Sequence, residues 1–346
     1  MKKFSFETVR QAEKLASKKI RTKTFQWLQA AAEDGYTNYK NNEDLKKIKI
    51  IPKQLSLDGK PILKTEFFGK KISSPLILSP MGHQTQFSKN GEIDMAKGID
   101  ISKTIAFFGT QSRMSLDQIR EKNKKAHLVW TIFPFGNLDW IKSQILSAEK
   151  NNCVAIAVCI DANIRSHRYL DREINYDARN FGKRSNPISP NPKKALNYNW
   201  NLVKFIKKNT KLPLIIKGIL SVGDAKKSIQ LGANAIWISN HGGRMLNSGI
   251  SGVDAILNIS KKLKNKKTKI IVDGGVQKGS DIIKYLSLGA DFVGIGRPAM
   301  YGLICNGFKG VNKIFNILNS EISSTMINGG FKDLSSFKKN RLEIYE

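Results

Sequence analysis

Short apolar runs punctuate the chain from about residue 75: 75–79 (PLILS), 104–108 (TIAFF), 128–133 (LVWTIF), 154–160 (VAIAVCI), 213–217 (PLIIK), 235–239 (AIWIS), 269–273 (KIIVD) and 292–296 (FVGIG). Each is nearly continuous in apolar residues and rich in β-branched types, as parallel strands covered on both faces should be. Between them the apolar positions recur at helical spacing. Residues 138–150 (LDWIKSQILSAEK) place Leu138, Ile141, Ile145 and Leu146 on one face. Residues 222–231, 252–263 and 279–288 predict further helices, the last capped by Ser280-Asp281. Eight strand–helix units predict an α/β protein, a (β/α)8 TIM barrel over residues 66–346. A doubly wound sheet is the alternative, but no Gly-x-Gly-x-x-Gly follows the first strand.

Two stretches depart from that alternation. Residues 1–65 form an N-terminal helical extension and lid, with 6–33 helical and 48–68 a lid or hairpin over the barrel base. A polar stretch of about 172–198 after the fourth strand has no apolar stripe, and its length predicts a mobile loop over the C-terminal face.

Composition narrows the compartment more than the function. The N-terminus, MKKFSFETVRQAEK, lacks the apolar segment of a secretory signal. No run approaches the roughly 18–20 apolar residues of a membrane span. Cys153, Cys159 and Cys305 have no metal-ligand spacing and read as reduced, buried thiols. A cytoplasmic protein without a metal is expected. Net charge is +30, from 58 Lys+Arg against 28 Asp+Glu. The lysines are scattered in pairs such as Lys2-Lys3 and Lys338-Lys339, without the interleaved aromatics of a nucleic-acid surface. No nucleic-acid partner is expected. The charge allows weak peripheral association with an anionic membrane surface, at its inner face.

In a barrel of this kind functional residues stand at the C-terminal ends of the strands. The fourth strand ends at Asp161, with Arg168 seven residues on, and the fifth at Lys217. The sixth leads to His241 and Arg244, the seventh to Asp273-Gly274-Gly275 and the eighth to Gly296-Arg297. So many charges at one rim exceed structural need. A histidine trades protons near neutral pH and arginines fork onto carboxylates. The glycine-bearing ends of the last two strands, each before a helix, offer free N–H groups to a phosphate. Asp161 read alone is equally an ordinary strand-end acid. Arg165 or Arg172 could replace Arg168, with His167 a bystander.

The segments ISNHGGRMLNSGISGVDAI and IIVDGGVQKGSDIIKYLSLGADFVGIGRPAMYGL resemble the FMN-dependent 2-hydroxy-acid oxidase/dehydrogenase family. That family includes glycolate oxidase, lactate oxidase, mandelate dehydrogenase and the flavin domain of flavocytochrome b2. The likeness begins in 25–42 (FQWLQAAAEDGYTNYKNN), continues through 64–80 and runs to about residue 320. It implies an FMN cofactor and oxidation of a small-molecule 2-hydroxy acid to a 2-keto acid. In the implied assignment His241 is the base, Asp161 steadies its protonated form, and Arg168 and Arg244 clamp the substrate carboxylate. Lys217 serves the flavin edge that becomes negative. Gly274, Gly275, Gly296 and Arg297 hold the FMN phosphate, Asp273 reaches the ribityl hydroxyls, and Gln277 lies near the phosphate and ribityl chain. Pro80, Met81, Gly82, Gly109, Thr110, Thr131, Cys159 and Ser239 complete the flavin contacts.

The chain departs from that pattern in places. Trp27 and Phe133 stand where the family has substrate-facing tyrosines, Thr131 replaces a glutamine, and Gln277 replaces an arginine. A substrate bulkier than glycolate is expected. The electron acceptor is left open between oxygen, a quinone and a protein, and the resemblance implies a homo-oligomer, a tetramer. Two alternatives stand beside this reading: a flavin-binding relative with altered or lost turnover, and an FMN-dependent tRNA-modifying barrel.

Overall fold

A computed structural model describes residues 5–57, 59–177, 180, 184–187, 198–263 and 267–345. The chain opens with α1 (Val9–Lys19), α2 (Thr22–Gln29), α3 (Tyr36–Lys47) and the short strand β1 (Ile48–Ile50). A hairpin of β2 (Thr65–Phe67) and β3 (Lys70–Ile72) leads into β4 (Leu76–Leu78). Then α4 (Gly91–Ile101), β5 (Ile105–Gly109), α5 (Leu116–Lys122), β6 (His127–Ile132), α6 (Leu138–Lys150) and β7 (Ala155–Cys159) alternate. After α7 (Tyr169–Glu173) and α8 (Trp200–Asn209) come β8 (Leu214–Ile219), α9 (Val222–Gln230), β9 (Ala235–Ile238) and α10 (Gly252–Ser260). β10 (Lys269–Asp273), α11 (Gly279–Ser287), β11 (Phe292–Ile295), α12 (Arg297–Gly329) and β12 (Leu342–Ile344) complete the chain.

The eight parallel strands lie in the order β4-β11-β10-β9-β8-β7-β6-β5, and all eight coincide with the apolar runs read from the sequence. The sheet curls into a nearly closed barrel. Across the β4–β5 seam Thr104 Oγ1 donates to Leu76 O at 2.6 Å. Ile77, Phe107, Val129, Ala157, Ile215, Trp237 and Ile271 fill the interior. The hairpin closes its N-terminal end: Phe67 packs edge-on against Phe107 and Phe292, with ring centroids 6.0 and 4.9 Å away. The interior is therefore solid, and a ligand can enter only from the opposite end.

Several expectations are corrected. The buried stripe of α6 is Ile141, Ile145 and Ala148, while Leu138 and Leu146 are exposed. The cap of α11 is not Ser280-Asp281 at the boundary. The helix starts one residue earlier, and Asp281 Oδ2 accepts from Gln277 N and Lys278 N from inside the first turn. Residues 6–33 are broken at Ile20-Arg21 into α1 and α2. Only 65–72 forms the hairpin, because β1 pairs instead with β12. Within the stretch of about 172–198, Ser185 N and Asn186 N both donate to Arg113 O, docking it on the loop after β5. Residues 178–179, 181–183 and 188–197 of that stretch lie outside the described residues.

Candidate active site

The loop Ser239-Asn240-His241-Gly242-Gly243-Arg244 leaves β9 as a tight turn in which His241, Gly242 and Gly243 all take positive φ, 58°, 64° and 71°. Glycine adopts this backbone freely, and histidine does so at a cost. At Gly243 the reason is packing. A Cβ there would lie 2.4 Å from Asn38 N, so the glycine lets α3 sit directly on the loop. Two buried amides lock that contact: Asn41 Nδ2 donates to Asn240 Oδ1 at 2.9 Å, and Asn240 Nδ2 returns to Asn41 Oδ1 at 2.7 Å.

So placed, His241 directs Nδ1 at Asp161 Oδ1, 3.0 Å away. Lys217 Nζ, rising from β8, stands 3.8 Å from Asp161 Oδ2 and donates to Ser239 Oγ at 2.8 Å. Burial opposes the charge on Asp161, but Lys217 and then His241 outweigh it and hold the carboxyl well below the usual carboxylate range. Burial likewise opposes the Lys217 ammonium; Asp161 and Asp273 prevail and push it up to about 12. Both groups are therefore ionised at neutral pH, and Nε2 is the imidazole nitrogen left for chemistry.

These groups open onto a cleft of about 250 Å³ at the C-terminal mouth. It is lined by Lys217, His241, Arg244, Arg168, Phe133 and Trp27 of the expected catalytic and substrate set. Of the expected cofactor set Pro80, Met81, Gly82, Asp273, Gly274, Gly275, Gln277, Gly296 and Arg297 line it too. Asp161, Gly109, Thr110, Thr131, Cys159 and Ser239 stand behind that lining. Arg165 faces the cleft beside Arg168, whereas Arg172 pairs with His167 Nδ1 and does not line it. Ser79, His83, Gln111, Phe135 and Met245 are further lining residues that the sequence reading missed. Ser79 closes the first apolar run, so the strand-end rule applied to β4 would have found it.

The arginines are held in unexpected ways. Arg244 donates to Trp27 O, Leu28 O and Ala30 O at the end of α2, with its guanidinium 5.3 Å over the Trp27 ring. Arg168 Nε donates to Ser166 Oγ, and its Nη1 lies 3.6 Å from Asp171 Oδ2. Arg297 braces three segments through Asn38 Oδ1, Leu28 O and Gly242 O.

The residues present suit a flavin phosphate and ribityl chain. Gly274 and Gly275 take φ of 113° and 76° ahead of α11, and Gly296 opens α12, where Pro298 stands in the first turn. A Cβ on Gly296 would approach Met81 Sδ to 3.0 Å, and one on Gly294 would meet Ser79 Oγ at 2.5 Å, so this floor is stripped to backbone. Among the described residues Asp273 Oδ1, on the cleft lining, is buried without a hydrogen-bond partner, a polar atom that a ligand's hydroxyl group would satisfy.

The sequence profile of FMN-dependent dehydrogenases matches residues 16–344. The chain belongs to the FMN-dependent dehydrogenase family. It is 30% identical to an L-lactate oxidase of Lentilactobacillus hilgardii over 352 residues, covering 99% of this chain and 95% of that protein. A 2-hydroxyacid oxidase of Dictyostelium discoideum is 28% identical, covering 97% and 90%. Among solved structures, a mandelate oxidase with benzoyl-formic acid superposes with a TM-score of 0.92 at 24% identity, over 99% of both chains. FMN is therefore the cofactor of this enzyme.

Proposed function

We propose that the protein oxidises a 2-hydroxy acid carrying a bulky apolar substituent to the corresponding 2-keto acid. The observation that carries this is the Asp161–His241–Lys217 cluster opening onto the FMN cleft. The substrate gives up two electrons and two protons. FMN, when bound, supplies the electron acceptor. His241 receives a proton at Nε2, since Nδ1 is committed to Asp161, and the carboxylate stabilises the resulting imidazolium. Lys217 provides a fixed positive charge next to the cleft where negative charge grows. Arg168 and Arg244 hold the substrate carboxylate by a charge-assisted fork, with Arg165 available from the same loop.

The apolar preference rests on one wall of the site. Phe133 stands edge-on to the His241 ring at 6.0 Å and packs with Phe135, Ala162 and Met245. Trp27 faces it from α2, its ring 6.0 Å from that of His83. A small polar acid would leave this wall wet, whereas an alkyl or aryl group buries it. The nucleic-acid alternative loses support because burial pushes the Cys153 and Cys305 thiols up, to about 12 and about 11, and leaves neither activated.

Anaerobic titration of the FMN enzyme with 2-hydroxy acids from glycolate to mandelate and 4-hydroxyphenyllactate tests the reading. Bleaching of the flavin band near ~450 nm by the larger acids, abolished in His241→Ala, is expected. Glycolate or lactate outperforming them would refute the substrate class. An enzyme that binds FMN but is bleached by none of them is a flavin-binding relative without this turnover.

A further inference from the structure

β7 ends in a cysteine, two residues before Asp161. Cys159 is fully buried, and its Sγ lies 2.8 Å from Asp161 Oδ1. That is the same oxygen that His241 Nδ1 approaches at 3.0 Å, while Sγ and Nδ1 are 3.9 Å apart. One carboxylate oxygen thus serves two donors. Among the described residues the other, Oδ2, takes no hydrogen bond, and the Lys217 ammonium stands 3.8 Å from it. Burial, and then the charge of Asp161, push the thiol well above its ordinary value, so it keeps its proton and acts as a donor, not a nucleophile.

Two donors on one oxygen divide its accepting power. We propose that Cys159 is a positioning residue that tempers the hold of Asp161 on His241. This rests on the reading of His241 as the base. A carboxylate that gave all of Oδ1 to the imidazolium would over-stabilise the protonated state and slow release of the proton after each turnover. The thiol takes part of that oxygen and keeps the pair adjustable.

The other groups around the pair do not take the same share. Lys217, from β8, faces Oδ2. Asp273, at the end of β10, acts on Lys217. Tyr198, ahead of α8, is raised by burial and stays neutral. Arg168 and Arg244 line the cleft on the substrate side.

The test uses Cys159→Ala, which removes the donor, and Cys159→Ser, which keeps an O–H donor in its place. The first readout is the titration of His241 by NMR in FMN-loaded enzyme labelled at histidine. The chain has four histidines, and a His241→Gln spectrum assigns the resonance. Cys159→Ala should move the midpoint upward by about half a pH unit, and Cys159→Ser should stay near the wild type. The acid limb of the anaerobic flavin-reduction rate should follow the same order. An unchanged midpoint in Cys159→Ala overturns the proposal. So does an equal shift in both variants, which would make the sulfur's bulk the cause and not its proton. Because the NMR titration needs no turnover, the expected shift in an enzyme that no 2-hydroxy acid reduces would uphold the role of Cys159 while defeating the proposed activity.

Discussion

In an Asp161→Asn variant the Lys217 ammonium, only 3% exposed, would lose its neighbouring anion at 3.8 Å. Asp273 would remain as its second carboxylate, so urea denaturation at neutral pH should show a loss of about 2–3 kcal/mol, below the roughly 3–5 kcal/mol of a fully stranded charge. The pH dependence follows from the sign of the shift. The Asp161 carboxyl is held below its unfolded value, so its stabilisation is full above about 3.9 and fades as the pH falls towards the folded value. The gap between wild type and variant should therefore be widest at neutral pH and shrink in strong acid. Flavin reduction by the best substrate should fall by about 10²–10⁴-fold in the same variant. Phe133→Tyr tests the apolar wall: a phenol beside His241 adds a hydrogen-bond donor, and kcat/KM for lactate should rise about tenfold. No change for lactate, with unaltered mandelate kinetics, would remove Phe133 from the specificity argument. At this scale the sequence was informative where the signal is local. Asp161, Lys217 and His241 could be read because each lies within three residues of a strand's C-terminal end, although Lys217 falls inside β8 and not at its close as expected. The direction of Arg244 could not, because it depends on carbonyls of residues 27, 28 and 30, more than two hundred positions away in the chain.

At the scale of elements, periodicity located the barrel strands, and it failed wherever an element's partner is distant. Asn41 gave no signal in a polar helix, yet it is fully buried and bonds Asn240 and Gly252 N. Asn41→Ala would take the side-chain acceptor from Gly252 N and one of the two bonds from each end of the Asn240 amide, which keeps Ile250 O and Gly243 N. The expected loss is about 2–4 kcal/mol, read by chemical denaturation, with a raised KM because α3 and α2 carry one wall of the cleft. Helix α12 shows a second long-range constraint. It breaks at Asn306-Gly307, and its two halves meet at Gly302 and Gly310, where a Cβ on Gly310 would sit 2.0 Å from Gly302 O. Gly310→Ala should cost about 1–3 kcal/mol or more through overpacking, and a variant as stable as wild type would show that the crossing yields easily. A glycine in a helix reads from sequence only as a weakness. What it permits is visible once the facing backbone is known.

For the molecule as a whole, charge and closure matter most. A net charge of +30 surrounds a cleft that takes an anionic substrate, so association should be electrostatically assisted. Raising ionic strength from about 20 to about 500 mM should lower kcat/KM several-fold while leaving kcat nearly unchanged. The same charge predicts weak association with anionic bilayers, which a binding assay checks. Among the described residues no helix is long and apolar enough to cross a membrane. Co-sedimentation with vesicles containing anionic phospholipid, reversed by salt and absent with neutral vesicles, is the expected result.

The pairing of β1 with β12 carries a further consequence. Ile48 is matched to Ile344, and Arg341 Nε also donates to Ile51 O. During synthesis the barrel strands can pair one after another as they emerge, since each neighbour in the sheet is near in sequence except across β4 and β11. The segment that follows α3 has no such early partner. It must wait for β12, so this two-stranded sheet forms after the barrel strands have paired, whereas the wall bearing Trp27 is fixed earlier, by Arg244.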